Sequence, residues 1–188
     1  MVGREIGRKA RQERGAAATE FAIIAPLFFM LIMGLITGGL ALDGKNTLTS
    51  AAREAARFGA TLATESTTGM PDDWFEEIAT VATQTAAGQL ANGVEGRMVC
   101  VAYVGYRPSR ASSTDWTRKR VETSTGVTYT NGSVGTPSSW CFDDGRGTGG
   151  ERRVQVLVER DTYLNAVLVH MTFKLTADAT GRYEPVTS

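Results

Sequence analysis

The sequence has a single histidine, His170, and only two cysteines, Cys100 and Cys141, in 188 residues. A structural zinc site needs four ligands, so this supply fits no zinc pattern. Any triad built on histidine would have to use His170. That residue stands in an alternating strand pattern, opposite Val169 and Met171, and reads as a strand-surface side chain. The G-x-S-x-G elbow is missing, and the serines within 109–113 have no elbow context. Residues 145–150, GRGTGG, lack the Gly-Lys-Ser/Thr of a phosphate loop and precede a strand, not a helix. Asp143-Asp144-Gly145 lacks the alternating ligands and distant glutamate of a calcium loop. The formal net charge is +0, which argues against a bulk electrostatic grip on nucleic acid. These gaps lead us to expect no enzyme, no cofactor, no metal and no nucleic-acid partner.

What charge there is lies unevenly. Residues 1–15 hold five basic side chains (Arg4, Arg8, Lys9, Arg11, Arg14) against two acids, so the rest of the chain is mildly acidic. From Phe21 to Leu42 there follow 22 residues without a charge. At about 1.5 Å per residue such a helix spans roughly 30 Å, the thickness of a hydrocarbon core. The run is too long for a secretory h-region, and no small-residue cleavage site follows before Asp43. It reads as an anchor in the lipid bilayer. Five basic residues precede it and three (Lys45, Arg53, Arg57) follow within fifteen positions, a modest bias that places the N-terminus in the cytoplasm and the body outside.

Glu20 does not suit a plain anchor. A carboxylate at a helix centre costs about 2.5–3.5 kcal/mol on insertion scales, less near the interface. In the bland reading Glu20 sits among lipid headgroups and does nothing. The sharper reading takes Arg14-Gly15, four small or neutral residues, Glu20-Phe21 and the apolar helix together. This order resembles the processing signature of type IV pilin-like proteins. With the later Ala52-Arg53-Glu54-Ala55-Ala56-Arg57-Phe58-Gly59-Ala60, it resembles the TadE-like pseudopilins of tight-adherence (Tad/Flp) pilus systems. Residues 179–184 are similar to the end of that family.

The resemblance implies a cytoplasmic leader, 1–15, removed by a membrane prepilin peptidase between Gly15 and Ala16. It implies a membrane-spanning and assembly helix over 16–42, an exported body over 43–188, and partners in other pilin subunits and the pilus assembly platform. Cleavage would create an α-ammonium at Ala16, which a neighbouring subunit's Glu20 can pair. An unpaired carboxylate in an apolar bundle is expensive, so pairing would set register. Gly34 and Gly38 form G-x-x-x-G, which lets helix backbones approach closely, although glycine is common in spanning helices. Pro26 removes one helical hydrogen bond and is expected to kink or loosen the helix. Two other readings stay open: an unprocessed single-span protein whose body binds some other partner, and a membrane-anchored hydrolase.

The body reads as α+β. Leu48, Ala51/Ala52, Ala55, Phe58/Gly59 and Leu62 continue the first helix as an amphipathic extension, with Gly44 as a candidate hinge. A second helix starts near Asp72-Asp73, with Asp73 and Glu76 as a capping box and the acidic run complementing the dipole, and ends at Asn92-Gly93. Strands are expected over 98–106, 121–130, 152–163 and 165–178, in an antiparallel sheet of about three or four strands. Residues 107–150 read as a long loop. The topology puts Cys100 and Cys141 where thiols are usually oxidised. We therefore expect a disulfide between them, closing a loop of about 41 residues and contributing of order 3–4.5 kcal/mol.

Overall fold

A computed structural model describes residues 3–62, 70–105, 116–133, 152–166 and 169–182. Over residues 3–17 it describes the backbone path alone. Alanine is the best helix former and adds almost no width to a helix face. The alanines at 51, 52, 55, 56 and 60 accordingly lie buried on α1 (Gly3–Thr61), a continuous helix of 59 residues. After it come α2 (Asp72–Thr85), β1 (Met98–Gly105), β2 (Trp116–Thr123), β3 (Gly126–Ser133), β4 (Arg153–Ala166) and β5 (Val169–Arg182). The chain divides into two compact units: Met1–Ala41 with Leu164–Met171, and Leu42–Tyr163 with Thr172–Ser188.

The second unit holds the core. Its antiparallel sheet runs β3-β2-β1-β4-β5, so the first strand is central. Register places Val99 opposite Val158, Val101 opposite Val156 and Tyr103 opposite Val154, making one buried stripe. Helix residues close over that stripe. Gly59 of α1 lies against Ile78 of α2 and Val154, and Gly181 of β5 lies against the Ala56 carbonyl. Trp74 meets Phe75 and Tyr103 edge to face at 4.8 and 5.9 Å. Each fully buried Val, Leu or Ile contributes roughly 1.5–3 kcal/mol. Solvent-exposed ion pairs such as Arg57–Glu54 are screened by water and add little, so the apolar stripe dominates stability. A smaller cluster, Cys100 and Val121 with Met98 and Leu157, sits on the other sheet face.

On β2 the helix-facing positions are charged. Arg118 pairs with Asp72, donates to the Met70 carbonyl and lies over the Phe75 and Tyr129 rings. Glu122 accepts from both Arg97 and Arg120, and Arg97 Nε also donates to the Leu90 carbonyl at 2.6 Å. Burial pushes the Glu122 carboxyl up, but hydrogen bonds from Arg97 and Arg120, with their charges, outweigh it and leave its pKa below the usual range. A lowered folded pKa gives stability that is complete above the unfolded pKa, about 4.3 for glutamate. That stability is lost as pH falls through the lower folded value. Urea midpoints measured from pH 6 downwards should fall, and the fall should be shallower in Glu122→Gln. Parallel acid curves for the two proteins would refute the coupling.

Several expectations are corrected. The sheet has five strands, because 121–130 is split by a turn at Ser124-Thr125 into β2 and β3, and Asn131-Gly132 lies inside β3. The second helix stops at Thr85, where the Ala86 cap is followed by Ala87 and Gly88 at positive φ (47° and 84°). No capping box forms, since Pro71 is the N-cap and no side-chain cap bond is made. Gly44 is no hinge. It lies within α1, and a Cβ there would sit 2.9 Å from Arg160 Nη2 and 3.4 Å from Leu175 Cδ1, so glycine serves close packing. Of the expected 107–150 loop, residues 116–133 instead form β2 and β3, and the rest lies outside the described residues.

Candidate assembly segment

The apolar run is helical although Pro26, Gly34, Gly38 and Gly39 disfavour one, and α1 carries Pro26 internally without a break. Its large side chains are open to the outside: Phe21 is 68% exposed, Ile23 79% and Leu35 69%. Such a surface is unstable in water and suits hydrocarbon. Among the described residues this is the one helix long and apolar enough to cross a membrane. The polar groups inside it are satisfied locally. Thr37 Oγ1 donates to the Met33 carbonyl at 2.7 Å and lies 3.3 Å from that of Gly34, as lipid requires.

Glu20 is exposed at the start of the run, next to exposed Phe21. At Gly34, Gly38 and Gly39, an added Cβ would meet no atom within 4 Å. Among the described residues those glycines therefore serve no packing, and a second helix could approach there. Gly15 and Ala16 lie on the helical backbone of α1, and their side-chain surroundings are not described. Past the run, Arg53 and Arg57 are exposed, and Arg57 pairs with Glu54 at 2.8 Å. His170 falls in β5, its side chain outside the described set.

Cys100 is buried in β1, facing Val121 and Leu157 across the ladders, and no described cysteine is free. Cys141 lies outside the described residues. The Cys100–Cys141 bond thus remains a proposal. Labelling of the denatured protein without reductant should find no reactive thiol, and two per chain would refute the bond.

Residues 15–57 match the family model described as TadE-like protein. No curated protein and no solved structure matches the chain. The matched stretch runs from Gly15 through Glu20 and the apolar run to Arg57, so this N-terminal segment is TadE-like. The likeness read at residues 179–184 lies beyond it.

Proposed function

We propose that the chain is a minor pilin or pseudopilin subunit of a Tad-type pilus, processed after Gly15 by a prepilin peptidase and assembled through its N-terminal helix. The observation that carries this reading is the exposed, charge-free helix surface that directly follows Gly15 and Glu20, within the TadE-like stretch. In this reading the leader is cytoplasmic, the body lies outside, and the partners are the bilayer, other pilin subunits and the assembly platform. The subunit's work is mechanical and non-catalytic. The alternative is an unprocessed single-span protein with some other partner. Sequencing the N-terminus of the protein isolated from membranes decides between them: Ala16 supports processing, and Met1 or Val2 refutes it.

Glu20 supplies the second check. Glu20→Gln removes a charge that resists insertion, so membrane integration should hold or improve slightly. Loss of the partner for the Ala16 ammonium should reduce co-isolation with other pilus components several-fold. Unchanged co-isolation would sink the pairing.

A further inference from the structure

Just past the apolar run, α1 meets a cation from far along the chain. Gly44, two residues beyond Leu42, is buried. A Cβ there would stand 2.9 Å from Arg160 Nη2 and 3.6 Å from Gln89 Oε1, so only glycine leaves the guanidinium its place. Arg160 lies on β4 and is half-buried, and its Nε is buried without a hydrogen-bond partner. Among the described residues its guanidinium meets no carboxylate. Gln89 Oε1 is likewise unpaired, and a carboxamide leaves the charge of the cation whole. Lys45, the next residue on α1, is exposed and donates to the Thr176 carbonyl, not to an acid. The acids of the neighbourhood do not neutralise the pair. Glu159 is with Lys174 at 3.4 Å, Asp161 lies against Gly96, and exposed Asp43 joins neither cation. A partly buried guanidinium without a counter-charge costs free energy that an arriving anion would recover.

We propose that Arg160 and Lys45 hold the phosphate of an anionic glycerophospholipid headgroup at the Leu42 end of the apolar run. The proposal rests on the membrane-spanning reading of that run. At about 1.5 Å per residue, Gly44 lies roughly 3 Å beyond Leu42. The headgroup layer is about 5–7 Å deep on each side of the hydrocarbon, so positions 44 and 45 fall at the level of the phosphates. A guanidinium offers a planar fork to two phosphate oxygens, and an ammonium adds a point charge. Lipid is the favoured source because at this depth phosphate is the abundant anion, and the acyl chains keep it there. Free inorganic phosphate presents the same oxygens without that confinement.

The test titrates the full chain, held in neutral detergent, with dihexanoyl-phosphatidylglycerol, dihexanoyl-phosphatidylcholine or inorganic phosphate, and native mass spectrometry counts the molecules bound. The parent should take phosphatidylglycerol several-fold more tightly than phosphatidylcholine, whose own ammonium offsets its phosphate. Arg160→Gln should weaken phosphatidylglycerol binding about fivefold, the scale of one Lys or Arg at an anionic surface. Lys45→Gln should weaken it about twofold, since its ammonium is shared with the Thr176 carbonyl. Arg57→Gln removes an exposed cation further along α1 and should change nothing. Undiminished binding in Arg160→Gln would refute the site. Inorganic phosphate bound as tightly as the lipid would overturn lipid as the source. Should Arg160→Gln fold poorly, Lys45→Gln on its exposed position carries the test, and unchanged affinity there would refute the site. Alkaline extraction of the full chain from phosphatidylcholine vesicles separates the two readings. A chain that stays in the vesicles but shows no headgroup preference fails the site alone, and a chain that is released fails the anchor and the site together.

Discussion

Gly15→Leu should persist in the membrane as a full-length precursor, while the parent is shortened by fifteen residues. The bond after Gly15 lies on the helical backbone of α1. A peptidase reads an extended segment, so the helix must open at the cut. Glycine is disfavoured in a helix interior by about 1 kcal/mol relative to alanine. Leucine removes that weakness, which alone lowers the open population by roughly fivefold. It also puts a branched side chain where every following residue up to Glu20 is small or neutral. The two effects compound, and mass measurement of the membrane-extracted chain reads the result. Shortening of the variant by the same fifteen residues would show that the cleavage site is misassigned.

Gly59→Leu should have the largest effect on folding. A Cβ at this position would stand 2.4 Å from Ile78 Cδ1 and 3.0 Å from Ile78 Cγ1 and Val154 Cγ1. Alanine is tolerable if the end of Ile78 swings aside. Leucine sends three more carbons into the junction of α1, α2 and β4, where both neighbours, Ile78 and Val154, are fully buried. Overpacking typically costs 1–3 kcal/mol, and this site should reach about 3 kcal/mol or more. Gly59→Ala should lose much less, since about 1 kcal/mol of helix propensity offsets its clash with Ile78. Urea midpoints in detergent give the order: parent, Gly59→Ala, then Gly59→Leu. A leucine variant as stable as the alanine one would show that the junction is looser than described.

The helical core was legible because its burial follows period. Leu48, Ala51, Ala52 and Ala55 on α1, and Trp74, Phe75, Ile78 and Ala82 on α2, are the residues that spacing picks out, and all are buried. The same holds for Val154, Val156 and Val158 on β4. β2 was only partly legible because its inward face carries Arg118, Arg120 and Glu122, which no apolar alternation marks. Their partners, Arg97, Asp72 and the Met70 carbonyl, come from distant parts of the chain. The end of α2 was misplaced for a different reason. Ala86 and Leu90 stay in helical phase and are buried, yet Ala87 and Gly88 turn the chain between them. The Gly44 packing site was also hidden, since its neighbours Arg160 and Leu175 are remote in sequence. At the N-terminus, residue types and spacing were enough to mark Glu20 and the exposed run, because an exposed apolar helix needs no tertiary partner to define it.

The position of β5 sets the order in which this chain can mature. Lys45 donates to the carbonyl of Thr176, 131 residues later, and Gly181 closes on Ala56 and Ala60. The first helix of the body therefore waits for the last strand. Contacts of such separation make folding slow, because the chain entropy is lost before the contacts repay it. During synthesis the Ala56–Ala60 stretch of α1 and the outer edge of β4 lack the cover of β5 until residues 169–182 have been made. A chain truncated before Val169 would keep both bare and should be held by chaperones or degraded. In the topology proposed above, with the body outside, the same delay would keep the body open and threadable until β5 is made, which suits export before closure.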